Sequence, residues 1–309
     1  MLHVLVLGSA AGGGFPQWNC NCVYCQRARA DDLAVQSRTQ SSLAVSTGNG
    51  EWFLLNASPD LRQQINENSE LHPASGQRHS PIKGVLLTNA DVDHIAGLLN
   101  LRESQPLAVY ATPRVHSVLS GNSVFNVLNP QFVDRRELTI GEPVRLADGT
   151  GEPSEVTVET FAVPGKVALY LEDPNAKNFG SAPEDTIALK VTDTESDAYF
   201  FYIPGCASMP SELAERLRGA PLVFFDGTVW EDDEMQSTGT GIKTGSRMGH
   251  MHLYGDDGSV AAFADLDVER KIFIHINNTN PVLADDSRER AFVEEAGWEV
   301  SFDGMKVTL

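Results

Sequence analysis

The stretch from Lys83 to Arg102 changes its hydrophobic period halfway along. Val85, Leu86 and Leu87 form a short apolar run, whereas Ile95, Leu98, Leu99 and Leu101 recur at helical spacing. A buried strand, a loop and a helix therefore follow one another, and the loop carries Asn89, Asp91, Asp93 and His94 within six residues. Backbone fixed at a strand end lets such side chains converge, and oxygen and imidazole donors of this kind bind hard and borderline metals. The competing explanation is a helix start in which Asp91 or Asp93 caps the first turn and His94 is an ordinary polar neighbour.

The rest of the chain bears on that choice. Its 309 residues suffice for a substantial core, and 23 basic against 42 acidic residues leave a net charge of −19. That field repels phosphate backbones and anionic membranes, so neither nucleic acid nor a membrane surface is expected as a partner. No apolar run approaches the roughly 20 residues that span a bilayer, and the N-terminal Met-Leu-His-Val-Leu-Val-Leu-Gly lacks the basic flank and length of a signal peptide. A cytoplasmic protein is the expectation.

Val4 to Leu7 reads as a strand running into the glycine-rich loop Gly8 to Gly14, which lacks the Gly-Lys-Ser/Thr ending of a phosphate loop. Ser42 to Ser46 and Trp52 to Leu55 read as a hairpin turned by Asn49-Gly50. Asn56 to Asp60 is expected to open a helix with Ser58 as cap and Pro59 at its first position, and Thr112-Pro113 to open another. Leu107 to Ala111, Val156 to Val163, Thr186 to Val191, Tyr199 to Ile203, Leu222 to Phe225, Lys271 to Ile276 and Trp298 to Phe302 read as strands. Ser211 to Arg218, Val260 to Ala264 and Asp286 to Ala296 read as helices. Gly141 to Ser154 is expected to be loop-rich, and Glu231 to Arg247, acidic and then glycine-rich, suits a mobile segment. Strands in both halves trail helices, with no linker between, so one α/β (α+β) domain over residues 1–309, two sheets flanked by helices, is the economical architecture.

Three of the four cysteines, Cys20, Cys22 and Cys25, lie in one tight stretch, where their sulfurs can take three corners of a tetrahedron around structural zinc. The fourth corner is not local. Cys206 stands alone after an apolar strand and reads as a small buried residue at a turn. His275 ends a buried strand and would project from the same sheet edge as His94 if those two strands were neighbours. His250 and His252 could serve as acid, base, substrate contact or zinc ligand. Asp226 ends a further strand, with Gly227 and Thr228 beside it.

These pieces, in this order, resemble the metallo-β-lactamase superfamily, whose Thr-His-x-His-x-Asp-His loop follows a buried strand. Thr88 to His94 matches at Thr88, Asp93 and His94 but has Asn89 and Asp91 where the first two histidines stand; Gly205-Cys206 occupies the place of a Gly-Asp, and no histidine lies near Pro164 to Lys166. The resemblance implies a metallo-β-lactamase-like αββα sandwich of two mixed sheets. It also implies that one metal's ligands are gone while Asp93, His94 and His275 keep the other, which disfavours the superfamily's usual hydrolysis.

A closer resemblance covers nearly the whole chain. Phe15 to Cys22, Leu55 to Asp60, Phe225 to Thr228, Met248 to His252 and Ile276 to Pro281 look like the B-protein family of pyrroloquinoline quinone (PQQ) biosynthesis. It implies hydroxylation, with dioxygen, of the tyrosine ring of a Glu-Tyr intermediate by Fe(II) on Asp93, His94 and His275, a site that zinc can also fill in isolated protein. Asp91, His250 and His252 would then contact substrate or move protons. The alternative it carries is a protein that moves PQQ or its precursor towards the periplasm without catalysis. It further points to Asn278 as the fourth zinc ligand, with His252 a rival, and leaves a homodimer to be tested.

Overall fold

Successive residues of the apolar runs face two different cores, which is what stacks the molecule in four layers. The computed structural model describes residues 1–309. Its fourteen strands are β1 (His3–Gly8), β2 (Ser42–Ser46), β3 (Trp52–Leu55), β4 (Ile82–Leu86), β5 (Leu107–Ala111), β6 (Val133–Glu137), β7 (Pro143–Ala147), β8 (Pro153–Ala162), β9 (Ile187–Asp193), β10 (Tyr199–Ile203), β11 (Val223–Asp226), β12 (Lys271–Ile274), β13 (Trp298–Val300) and β14 (Lys306–Thr308). They form two seven-stranded sheets, β14-β1-β2-β3-β4-β5-β6 and β13-β12-β11-β10-β9-β8-β7. Both are mixed: β3 to β6 run parallel, as do β10 to β13, and the remaining pairs are antiparallel.

Val4, Val6, Phe53 and Leu55 from the first sheet meet Leu189, Phe200, Phe224 and Ile274 from the second in the central core. The alternate residues Leu5, Leu7 and Leu54 turn outward against Leu61, Val115 and Leu119 of the helices Leu61–Glu67 and Pro113–Gly121. On the other side Val223, Phe225 and Phe273 pack under Leu213, Leu217 and Val293 of the helices Ser211–Leu217 and Arg288–Glu295. Burial on both faces explains why these strands read as continuous apolar runs. The αββα sandwich is thus the architecture.

Several local expectations need correcting. The loop-rich reading of Gly141 to Ser154 misses β7 and the start of β8, where Val144 and Leu146 turn towards the central core between outward Pro143 and Arg145. The helix after Asn56 begins at Leu61. Ser58 Oγ donates to Gln64 Oε1 at 3.1 Å, and the Asp60 carboxylate accepts from the Gln40 backbone N–H at 2.9 Å. The helix at His94 is α only over Val92–Ile95 and tightens to 3₁₀ over Ala96–Leu101, where the Gly97 backbone packs so closely on Ala57 and Ser58 that a Cβ would lie 2.2 Å from Ser58 O. Glu231 to Arg247 contains two helical turns, Glu234–Ser237 and Gly245–Met248, and buries Glu234.

Candidate metal centres

The chain leaves β4 through Thr88, which Asn56 grips: Asn56 Oδ1 accepts from the Thr88 N–H at 2.9 Å, and Asn56 Nδ2 donates to Thr88 Oγ1 at 2.9 Å. Asp91 then takes the backbone position of a helix cap, but its carboxylate makes no capping bond; Oδ1 accepts from the Leu169 N–H at 3.3 Å. Capping therefore does not explain the loop's acidic side chains.

His275 follows β12 at φ 59°, a left-handed conformation that costs a residue with a Cβ and marks a constrained position. β4 and β12 lie in different sheets, so the expectation of one shared sheet edge is corrected. The two histidines meet because the carboxyl ends of parallel strands in both sheets open at the same end of the sandwich, with ring centroids 5.3 Å apart.

Asp93 Oδ2 stands 3.1 Å from His275 Nε2 and 3.8 Å from His94 Nε2. His94 Nδ1 faces Asn89 Oδ1 at 2.7 Å, an oxygen that can only accept, so Nδ1 carries the proton and Nε2 keeps its lone pair. That Nε2 is buried with no partner in the protein. Thr228 performs the same service for His275. Its hydroxyl donates to Asp226 Oδ1 at 2.6 Å, which leaves Oγ1 to accept from His275 Nδ1–H at 2.9 Å and turns His275 Nε2 towards Asp93. The Asp93 carboxylate, the His94 Nε2 lone pair and His275 Nε2 thus converge, and a metal cation would satisfy all three in place of the proton that otherwise sits between Asp93 and His275.

The charges agree. Burial disfavours the charged form of His94 and holds it below the usual histidine range, although Asp93 opposes this. Burial also penalises the Asp93 carboxylate, but His94 and His275 outweigh that cost and keep it ionised. Burial works against a charged His275 too, yet its bond to Asp93 and the surrounding carboxylates raise it above the usual range. Without metal, Asp93 and His275 form an ion pair that a cation would replace.

Asp226, His250 and His275 make a second cluster. Asp226 is fully buried and accepts from Cys206 N–H at 2.9 Å, Thr228 N–H at 3.0 Å and His250 Nδ1–H at 2.7 Å, besides the Thr228 hydroxyl. With its acceptor sites filled, it orients its neighbours and has little left for a metal. His250 stacks on His275 with centroids 5.1 Å apart. The Cys206 thiol, pushed up to about 12 by burial, donates to Ser208 O at 3.1 Å and is inert, as expected of a buried turn residue. An open cavity of about 400 Å³ is lined by Asn89, Asp91, Asp93, His94, His250 and His275 among others. His252 does not join them; its Nε2 faces Asp257 Oδ1 at 3.1 Å.

Cys20, Cys22 and Cys25 hold their sulfurs within 4.8 Å of one another, at the start of the helix Val23–Arg29. Asn278 Nδ2 lies 3.1, 3.7 and 3.5 Å from the sulfurs of Cys20, Cys22 and Cys25. Half a rotation of that amide puts Oδ1 in the same place, so the geometry suits Asn278 as the fourth donor better than His252. Thr228 had no role assigned from the sequence, and Asn89 had only a place in the acidic loop where the superfamily carries a histidine. Both tautomer-setting contacts exist only in three dimensions, though Thr228 sits in the strand-end triplet Asp226-Gly227-Thr228.

Residues 51–276 match the β-lactamase superfamily domain. Coenzyme PQQ synthesis protein B of Gluconacetobacter diazotrophicus is 55% identical over 311 residues, spanning 100% of both chains. The crystal structure of Zn(2+)-bound PqqB from Methylobacterium extorquens is similar at a TM-score of 0.94 and 50% identity, over 99% of this chain and 100% of that one. A diphosphatase from the PhnP family, 20% identical, shares the fold at a TM-score of 0.69 over 99% of this chain and 96% of that one.

Proposed function

The chain belongs to the coenzyme PQQ synthesis protein B family within the β-lactamase superfamily, and from that premise we propose that it serves PQQ biosynthesis as an iron-dependent hydroxylase of the tyrosine ring in a Glu-Tyr intermediate. The observation that carries this reading is the trio Asp93, His94 and His275, one carboxylate and two imidazoles whose lone pairs face it. Two histidines and a carboxylate with open positions are the donor set of non-haem Fe(II) oxygenases. Fe(II) held there would supply the activation of dioxygen. The ring C–H becomes C–OH, the second oxygen atom leaves as water, and an added reductant provides the two electrons.

The protein's part is orientation and proton control. Asn89 and Thr228 fix the histidine tautomers before any ligand arrives, which spares reorganisation on binding. His250 lines the cavity with Nδ1 tied to Asp226, so Nε2 is its free nitrogen and the group placed to hold a proton for the tyrosine hydroxyl. Asp91 lines the same cavity and anchors the Leu169 loop over it. At the second centre, zinc on Cys20, Cys22, Cys25 and Asn278 has a structural role, since closed sulfur-rich sites leave no position for substrate.

The test loads the protein anaerobically with Fe(II), then adds oxygen, reductant and a Glu-Tyr peptide. Mass analysis should show the gain of one oxygen atom, lost in His94→Ala and His275→Ala. An unchanged peptide with iron fully loaded overturns the reading, and tight PQQ binding that survives both substitutions would put a carrier in its place.

A further inference from the structure

The cavity that holds Asp93, His94 and His275 has a second, cationic pole. Lys166 and Lys243 line it together with the metal-centre residues. Lys166 lies in the loop after β8, where its carbonyl accepts from Thr186 Oγ1 at 3.0 Å. Its side chain is 17% exposed, and its stem runs past Gly249, where a Cβ would come within 3.1 Å of Lys166 Cγ. Lys243 sits between the helical turns Glu234–Ser237 and Gly245–Met248.

One carboxylate serves this wall, and it is already engaged. Glu172 accepts from Arg247 Nη1 at 3.1 Å and Nη2 at 2.6 Å, and Lys166 Nζ stands off at 3.6 Å from Glu172 Oε1. Lys243 has no carboxylate within 4.0 Å, although its charge reaches Glu172 and helps, after Arg247, to hold that carboxyl below the usual range. Lys166, Lys243 and Arg247 thus share the single carboxylate of Glu172, a local excess of positive charge beside a cavity that Asp91 and Asp93 also line, in a chain whose net charge is −19. Surface lysines would be solvated and unremarked elsewhere, but these two share a cavity with a metal-binding trio.

We infer that Lys166 and Lys243 bind carboxylate groups of the substrate and so aim its ring at Asp93, His94 and His275. The ammonium is a compact donor of three hydrogen bonds that can follow a flexible acid. The identity of the acid rests on the Glu-Tyr reading proposed above; the preference for an anion is measurable without turnover.

The experiment uses protein loaded with Zn(II), which is redox-inert, and titrates it by calorimetry with the dipeptide Glu-Tyr and with its diamide, Gln-Tyr-amide. Wild type should bind the acid roughly tenfold or more tightly than the diamide, the size expected of a charge-assisted hydrogen bond. Lys243→Gln and Lys166→Gln should each erode that preference at unchanged metal content, and Lys243→Arg should largely retain it. A wild type that does not favour the acid, including one that binds neither peptide, overturns the inference, as does a Lys243→Gln, Lys166→Gln double variant with the preference intact. A preference confirmed without oxygen insertion would sink the hydroxylase reading and leave the anion site standing.

Discussion

Thr228 has one hydroxyl proton and stands within hydrogen-bonding distance of Asp226 Oδ1, His250 Nδ1 and His275 Nδ1. Because the proton goes to the nearest carboxylate oxygen, the threonine determines which nitrogen of His275 stays free for a metal. Thr228→Val keeps the shape and removes that arrangement, leaving the His275 tautomer unassigned. Metal affinity at the Asp93 centre should fall roughly 10–100-fold, as is usual when a ligand-orienting partner is lost. Competition with a chromophoric chelator measures it, and Thr228→Ser should recover most of the loss. An unchanged affinity would reduce Thr228 to packing. Residue type and strand-end position made Asp93, His94 and His275 candidates, and only the family resemblance joined them into one ligand set. Thr228 and Asn89 could not be read in this way, because a threonine or asparagine becomes an orienting group only when a histidine ring arrives from a distant segment. His252 shows the converse, a suggestive residue type that the fold places away from the converging donors.

Between the two centres runs the turn from His275 to Asn280, in which two residues separate His275 from Asn278. The segment Glu231 to Arg247, read from its composition as mobile, grips this turn. Glu234 accepts from Thr279 Oγ1 and from the Trp230 N–H, and Asn277 Nδ2 approaches Met235 Sδ at 3.2 Å. Burial pushes the Glu234 carboxyl up to about 7 despite those bonds. The folded state therefore holds a proton that the unfolded chain has released, at any pH between the usual glutamate range and about 7. This group's contribution is fullest at low pH and is lost as pH rises through 7. The effect is at most about 3 kcal/mol from one group. Glu234→Gln should flatten the fall of unfolding free energy between about pH 4.5 and about pH 7, read from denaturant midpoints in the two proteins. Parallel slopes would show that Glu234 does not titrate there. Composition did not disclose this anchor, because glycine and acidic content report the chain's freedom, whereas the anchor is one buried carboxylate. Similarly, β6 and β7 are edge strands carrying outward charges such as Arg135 and Arg145, so the apolar pattern that exposes a central strand is diluted in them. The hairpin of β2 and β3 and the cap of Thr112, which accepts from Val115 N–H at 3.3 Å, were legible because their signals are local.

At the scale of the molecule, the three proposed ligands of an active-site metal come from both sheets. Asp93 and His94 follow β4 of the first, and His275 follows β12 of the second, so the trio assembles only when the central core of Phe53, Leu55, Phe224 and Ile274 has brought the sheets together. The αββα stacking was legible from the resemblance and from the uninterrupted apolar strands, but the route by which His94 and His275 meet was not, since periodicity says nothing about which sheet a strand joins. A cation bound across the two sheets acts as a clasp that the unfolded chain cannot reproduce. At 100 times its dissociation constant it should add about 2.7 kcal/mol to the folded state. For a chain of this size that corresponds to a rise of roughly 5 °C in Tm. His275→Ala should abolish the increment while keeping any stabilisation from zinc on Cys20, Cys22 and Cys25, whereas Cys20→Ser should weaken the second and largely spare the first. Equal shifts in wild type and His275→Ala on adding Fe(II) or Zn(II) would mean that the metal stabilises one side of the sandwich alone, and the clasp would be ruled out.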